Sequence, residues 1–144
     1  MYRRILVPLE NGPADAAILQ PVSQLAQVHG SEVLLVHIAD GWAARNMEQL
    51  NLRESQEIKE DRAYLERMSQ ELRQAGVQAD SLLAAGDPAK EIAAAAEREH
   101  VDLIAMATHG HSLLGDVVHG TTATALRHVS RIPILMVRVP AREP

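Results

Sequence analysis

Short apolar segments alternate along this chain with longer segments of helical periodicity. Five of the apolar segments have the length of strands, and they cover residues 5–7, 32–38, 81–84, 101–106 and 134–137. Their apolarity is mostly continuous rather than alternating, which is typical of strands buried on both faces of a parallel sheet. The pattern therefore predicts a sheet that is covered by helices on both sides.

The segments between the apolar runs have the periodicity and the end signals of helices. The predicted helices cover residues 13–29, 52–75, 87–97 and 120–130. Asp87-Pro88 is a helix-capping residue followed by a proline suited to the first turn, and Gly30 and Gly76 follow helices as stop signals. Strict alternation of strand and helix implies right-handed crossovers. We therefore predict one α/β domain over residues 1–144, a Rossmann-like three-layer sandwich with a five-stranded parallel sheet.

Composition excludes several classes of protein. The net charge of −5 disfavours a nucleic-acid binder, and a chain without cysteine has neither disulfides nor thiolate chemistry. No apolar run has the length of a membrane span, and the run near the N-terminus is too short for a signal peptide. We expect a cytoplasmic protein without membrane insertion.

The loop after the fourth predicted strand is the main candidate for chemistry. Ligands of open α/β sheets bind beyond the carboxyl ends of the strands, and residues 107–122, ATHGHSLLGDVVHGTT, lie there. No Lys or Arg occurs between Arg98 and Arg127. A phosphate would therefore be held by the N–H groups of Gly120, Thr121 and Thr122 at a helix start, and a triphosphate would need a divalent ion. Glycines that merely form turns are the alternative interpretation of the loop.

Other motifs point to no alternative chemistry. The chain lacks a P-loop, a G-x-G-x-x-G after the first strand and a G-x-S-x-G elbow. His109, His111 and His119 suggest a metal site, but hydrogen bonding near phosphate is the favoured interpretation, and we assign no metal ligand. His37 lies within an apolar strand and is interpreted as a core histidine with satisfied hydrogen bonds.

Four segments together resemble the universal stress protein family: RRILVPLENG, GDPAKEI, VDLIAMATHG and HGTTATALRHVSRIPILMV. Nucleotide-binding members of that family carry G-x2-G-x9-G-[ST] between the fourth strand and the fourth helix. Gly110, Gly120 and Thr121 match this motif, and Ala107 stands at the place of the first glycine.

The resemblance implies a nucleotide site and a dimer. Glu10 occupies the place of an aspartate beside the adenosine, and the backbone of Ile38 would read the adenine edge. The nucleotide-binding residues implied are Pro8, Leu9, Glu10, Ile38, Met106, Ala107, Thr108, His109, Gly110, Gly120, Thr121 and Thr122. The last strand, Ile134–Val139, would pair across the axis of a homodimer, which also covers an apolar edge.

Three hypotheses follow for function. The first is a homodimeric binder of ATP, ADP or AMP, with Mg²⁺ on the phosphates, that acts as a stress-linked sensor or regulator with an unidentified protein partner. The second is a dimeric interaction module of the same fold that binds no nucleotide. A slow ATP hydrolase ranks third, because no Arg or Lys is positioned for the transition state and no general base is evident. We therefore assign no catalytic residue.

Overall fold

The sheet has five parallel strands. The computed structural model describes residues 1–39, 51–109 and 122–139, apart from the side chains of residues 51–55 and 109. The strands are β1 (Arg4–Pro8), β2 (Glu32–Ala39), β3 (Gln78–Ala85), β4 (Leu103–His109) and β5 (Ile134–Val139). The helices are α1 (Ala14–His29), α2 (Asn51–Gln74), α3 (Pro88–Arg98) and α4, which covers residues 122–129. The predicted α/β fold and its order of elements are confirmed.

The order of the strands across the sheet is β3-β2-β1-β4-β5. The chain moves outward from β1 to β3 and then crosses back to β4 on the other side of β1. Strand order therefore reverses between β1 and β4, where Ile5 and Leu6 pair with Leu103 and Ile104. In an open α/β sheet this reversal leaves a crevice beyond the carboxyl ends of the two strands.

The core is aliphatic and has two parts, one on each face of the sheet. On the face of the sheet that α1 and α2 cover, the strand residues Ile5, Val7 and Leu35 form one cluster with the helix residues Ile18 and Leu65. The opposite face is a second cluster, in which the strand residues Leu6, Leu34 and Ile104 meet the helix residues Ile92 and Leu126. Successive strand residues point to opposite faces. In the central strands both faces are buried, which explains why these strands are largely apolar in sequence.

Capping residues mark the end of α1 and the start of α3 at the positions that the sequence predicts. Gly30 follows α1 with a φ of 67°, a left-handed conformation that glycine adopts without strain. Asp87 caps α3, and its carboxylate accepts a hydrogen bond of 3.1 Å from the backbone N–H of Lys90. In the described parts of the chain, no helix is long and apolar enough to cross a membrane.

Candidate functional site

The fold brings four groups of predicted site residues to the carboxyl edge of the sheet. Pro8, Leu9 and Glu10 lie at or after the end of β1, and Ile38 lies near the end of β2. Residues 106–109 end β4, and Thr122 lies in the first described turn of α4. The predicted residues Gly110, Gly120 and Thr121 lie outside the described residues, as do His111 and His119.

The loop after β1 is closed by the carboxylate of Asp15, a buried residue in the first turn of α1. Its Oδ1 accepts a hydrogen bond from the backbone N–H of Glu10 at 3.1 Å. Its Oδ2 accepts from the N–H groups of Asn11 and Gly12, at 2.9 and 3.2 Å. Asn11 has a φ of 61°, and such left-handed residues let successive N–H groups converge on one anion. The anion-binding concavity after β1 is therefore already occupied by a side chain of the chain itself.

Tyr64 on α2 completes the environment of Asp15. Its hydroxyl donates a hydrogen bond of 2.5 Å to Asp15 Oδ2, and the guanidinium of Arg67 lies 5.5 Å from the centre of its ring. Burial raises the pKa of Tyr64 well above its ordinary value, and the hydrogen bond to Asp15 and the charge of that carboxylate raise the pKa further. Helix α2 is thus attached to the loop after β1 by a phenol that stays neutral.

Replacing Tyr64 with Phe is expected to lower the free energy of unfolding by about 2 kcal/mol at neutral pH, because the bond to a charged acceptor is lost. The folded state raises the pKa of this phenol, so its contribution is complete below the ordinary value of 10.0 and declines as pH rises above it. Urea unfolding between pH 8 and 11 should show the difference between wild type and Tyr64→Phe narrowing above pH 10.

Tyr2→Phe is the matched control for this titration, since its ring packs edge-on against His29 and the substitution leaves that contact in place. We expect a change within about 0.5 kcal/mol. A difference between wild type and Tyr64→Phe that stays constant through pH 11 would contradict the assigned role of the hydrogen bond.

His37 ties the end of β2 to the same loop. Its Nδ1 lies 2.8 Å from the backbone oxygen of Leu9, and its Nε2 lies 3.4 Å from Asp61 Oδ2 on α2. A carbonyl oxygen only accepts, so Nδ1 carries the proton that donates to Leu9. Asp61 Oδ1 also accepts from the side-chain amide of Asn11 at 3.3 Å. The interpretation of His37 as a histidine with satisfied hydrogen bonds agrees with these contacts.

The backbone of Ile38 faces the crevice. The Leu9 N–H donates to the oxygen of Val36 at 2.8 Å, and on the opposite side of β2 the Gly86 N–H lies 3.5 Å from the oxygen of Ala39. Peptide groups two residues apart in a strand point the same way, so those of Ile38 point toward β1, beyond its last paired residue, Pro8. An N–H and a C=O side by side form a donor and acceptor pair suited to the edge of a planar heterocycle.

The end of β4 divides its side chains between the two faces of the sheet. Met106 is buried in the cluster on the α3 and α4 face, whereas Ala107 packs against the cluster on the α1 and α2 face. By the alternation of strand residues, the half-buried Thr108 returns to the α3 and α4 face. The residue pairing puts Thr108 opposite Arg138 of β5.

Three residues that organise this edge could not be identified from the sequence. Asp15 has only the signature of an acidic residue in a first helical turn, and nothing indicates that it turns back to the preceding loop. Tyr64 lies 49 residues from Asp15 and Asp61 lies 50 residues from Asn11, and only the packing of α2 brings these pairs together. Among the described residues, no cluster of three or more His, Asp or Glu side chains could hold a metal ion.

Known proteins share both the sequence pattern and this architecture. Universal stress protein MJ0577 of Methanocaldococcus jannaschii is 26% identical over 155 residues, which cover 96% of each chain. The solved structure of MJ0577 superposes with a TM-score of 0.83 and covers 99% of each chain.

Two ligand complexes have the same fold at lower identity. A universal stress protein in complex with cAMP has a TM-score of 0.69 at 14% identity and covers 95% of this chain and 97% of its own. The universal stress protein of Archaeoglobus fulgidus in complex with dAMP has the same TM-score at 17% identity, with coverage of 94% and 97%. The model of the universal stress protein family matches residues 1–138, and the chain therefore belongs to that family.

Proposed function

We propose that the chain binds an adenine nucleotide, ATP, ADP or AMP, in the crevice between β1 and β4, and that it acts as a homodimeric sensor or regulator. The adenosine lies against Pro8, Leu9, Glu10 and Ile38. The phosphates lie where β4 leads into α4, with Mg²⁺ bound to them. Relatives of the same fold bind cAMP and dAMP, which are nucleotides with the same base.

The observation that carries the proposal is a difference in acidic residues between the N-termini of the helices at this edge of the sheet. The N-terminus of α1 meets the carboxylate of Asp15, and that of α3 is capped by Asp87. An anion would be repelled at both starts. No Asp or Glu occurs between Asp116 and Glu143, a stretch that contains all of α4 and β5. No acidic residue of this stretch therefore cancels the positive potential at the N-terminus of α4. This N-terminus is suited to phosphate.

The adenine end has matching chemistry. The peptide groups of Ile38 offer a donor and an acceptor side by side, which is the pattern that the N1 and 6-amino edge of adenine requires. The loop after β1 is rigid because Asp15, Tyr64 and the His37–Asp61 pair hold it at several points. A preformed wall of this kind reduces the entropic cost of binding.

The homodimer is supported by the two edges of the sheet, which differ in character. Leu135 and Met136 on β5 are 40% and 42% exposed, and an apolar edge left in water is an aggregation hazard. The opposite edge strand, β3, carries Gln78 and Asp80. Pairing of two copies of β5 around a twofold axis buries the apolar edge and satisfies its backbone groups.

A thermal-shift titration with ATP and Mg²⁺ tests nucleotide binding. At a ligand concentration of 100 times the dissociation constant, the protein should be stabilised by about 2.7 kcal/mol. Gly120→Val should abolish the shift, since a β-branched side chain at the motif glycine blocks close approach of phosphate to the backbone. The absence of a shift in the wild type at millimolar nucleotide contradicts the proposal.

Gly115→Val is the matched control, because Gly115 lies in the same loop but outside the family motif. It should retain the shift of the wild type. Equal loss of the shift in the two variants would indicate general damage to the loop and overturn the assignment of Gly120.

A further inference from the structure

We propose that Arg138 of β5 contacts the β- and γ-phosphates of the bound nucleotide and makes the site selective for ATP and ADP over AMP and adenosine. The inference rests on the proposed function and deepens it. In sequence, the loop between β4 and α4 has no cation within it, and Arg138 follows Thr122 by sixteen residues. In the fold, Arg138 lies at the end of the strand next to β4.

The residue pairing locates Arg138 along the sheet. Met106 pairs with Met136, and two residues further toward the carboxyl end Thr108 pairs with Arg138. Neighbouring strands are about 4.8 Å apart, so these two residues are adjacent. Arg138 is therefore level with the part of β4 that the nucleotide is proposed to contact.

The packing of the preceding residues determines the face on which Arg138 lies. Ile134 packs with the cluster on the α3 and α4 face, and Met136 lines a notch together with Ala123 and Thr124 of α4. Val137 packs on the opposite face. Alternation returns Arg138 to the face of Ile134 and Met136. Its side chain therefore lies on the α4 side of the sheet, two residues beyond Met136 along β5.

Charge and exposure leave the guanidinium available. Arg138 is exposed, and among the side chains that the structure describes no carboxylate lies within 4 Å of it. The other strand arginine, Arg4, has three carboxylates within 3.9 Å, those of Glu32, Asp80 and Glu99. A guanidinium that has no carboxylate partner among the described side chains and lies beside a helix start is suited to a phosphate, which it can bind through two parallel N–H···O bonds.

Dimerisation through β5 is compatible with this role. Strand pairing uses the N–H and C=O groups in the plane of the sheet, whereas the Arg138 side chain stands roughly perpendicular to that plane. The same strand can then pair with its copy and present its arginine to the nucleotide.

Calorimetric titration of Arg138→Gln with ATP, AMP and adenosine, each at a fixed Mg²⁺ concentration, tests the inference. We expect the affinity for ATP to fall about tenfold, while that for adenosine stays within about twofold. Arg138→Lys should recover part of the affinity for ATP, because it restores the charge without the bidentate geometry. The signature of the proposed role is this change in the ratio of ATP to adenosine affinity.

Arg131→Gln is the matched control, since Arg131 is an exposed arginine that lies before the first residue of β5, Ile134. It should leave both affinities unchanged, and sedimentation should show the same oligomeric state for all variants. An unchanged ratio of ATP to adenosine affinity in Arg138→Gln overturns the inference, whether the two affinities stay the same or fall together with loss of the dimer. Failure of the proposed function has a different outcome, in which the wild type binds none of the three ligands.

Discussion

Replacing Asp15 with Ala is expected to destabilise the protein by about 3 kcal/mol, because it removes the shared acceptor of four donors. Three of them are the consecutive backbone N–H groups of residues 10–12, and the fourth is the hydroxyl of Tyr64. Each donor must then find water or remain unpaired, and the favourable interaction of an acid with the first turn of α1 is lost as well. Urea unfolding followed by circular dichroism measures the change.

Two further variants make this result specific. Asp15→Asn keeps one acceptor oxygen and should lose about half as much stability as the alanine variant. Glu57→Ala removes an exposed carboxylate from α2 and should stay within about 0.5 kcal/mol of the wild type. If Asp15→Ala were as stable as Glu57→Ala, the carboxylate would not be what holds the loop.

Replacing Leu135 with Asp is expected to weaken the proposed dimer at least about 100-fold, because two like charges would face each other across a twofold axis in an apolar contact. Leu135 is already 40% exposed, so the monomer tolerates a polar residue there better than in the core. Sedimentation velocity over a range of protein concentrations measures the dissociation constant, and circular dichroism verifies the fold.

Val28→Asp is the control for this substitution. Val28 is 82% exposed on α1, and its substitution presents the same change from an apolar to an acidic side chain. The dissociation constant of the Val28→Asp dimer should equal that of the wild-type dimer. A Leu135→Asp protein that remains dimeric, or a wild type that is monomeric at all concentrations, contradicts pairing through β5.

The rigid loop after β1 also bears on nucleotide binding. Asp15 uses the N–H groups of residues 10–12, so this loop contributes a wall rather than phosphate donors. In the proposed binding mode, the placement of the acids assigns adenosine to the half of the crevice bounded by α1 and β2, and the phosphates to the half bounded by α4 and β5. Asp15→Asn should therefore lower the affinities for ATP and for adenosine to a similar degree, whereas Arg138→Gln should lower mainly the affinity for ATP.

Most of the fold could be predicted because local signals agreed with one another. Continuous aliphatic runs such as residues 5–7 predicted buried strands, and Asp87-Pro88 and Gly30 marked helix ends. These signals depend on neighbours within a few residues, so a single sequence contains them. The strict alternation of strand and helix then left a doubly wound sheet as the simple solution.

The amino-acid sequence alone establishes the type of each element and the two-faced aliphatic core, and it predicts the edge of the sheet at which a ligand would bind. Tertiary structure alone decided which distant groups meet at that edge. Asp61 and Tyr64 reach the loop after β1 because α2 packs on that face, and Arg138 reaches the level of Thr108 because β5 pairs with β4. The periodicity of the sequence indicates which face of its element a residue occupies. Contacts between elements depend instead on strand order and pairing, which bring residues together regardless of their separation along the chain. Arg138, the cation that we propose for the phosphates, lies beside the end of β4 only because β5 pairs with β4.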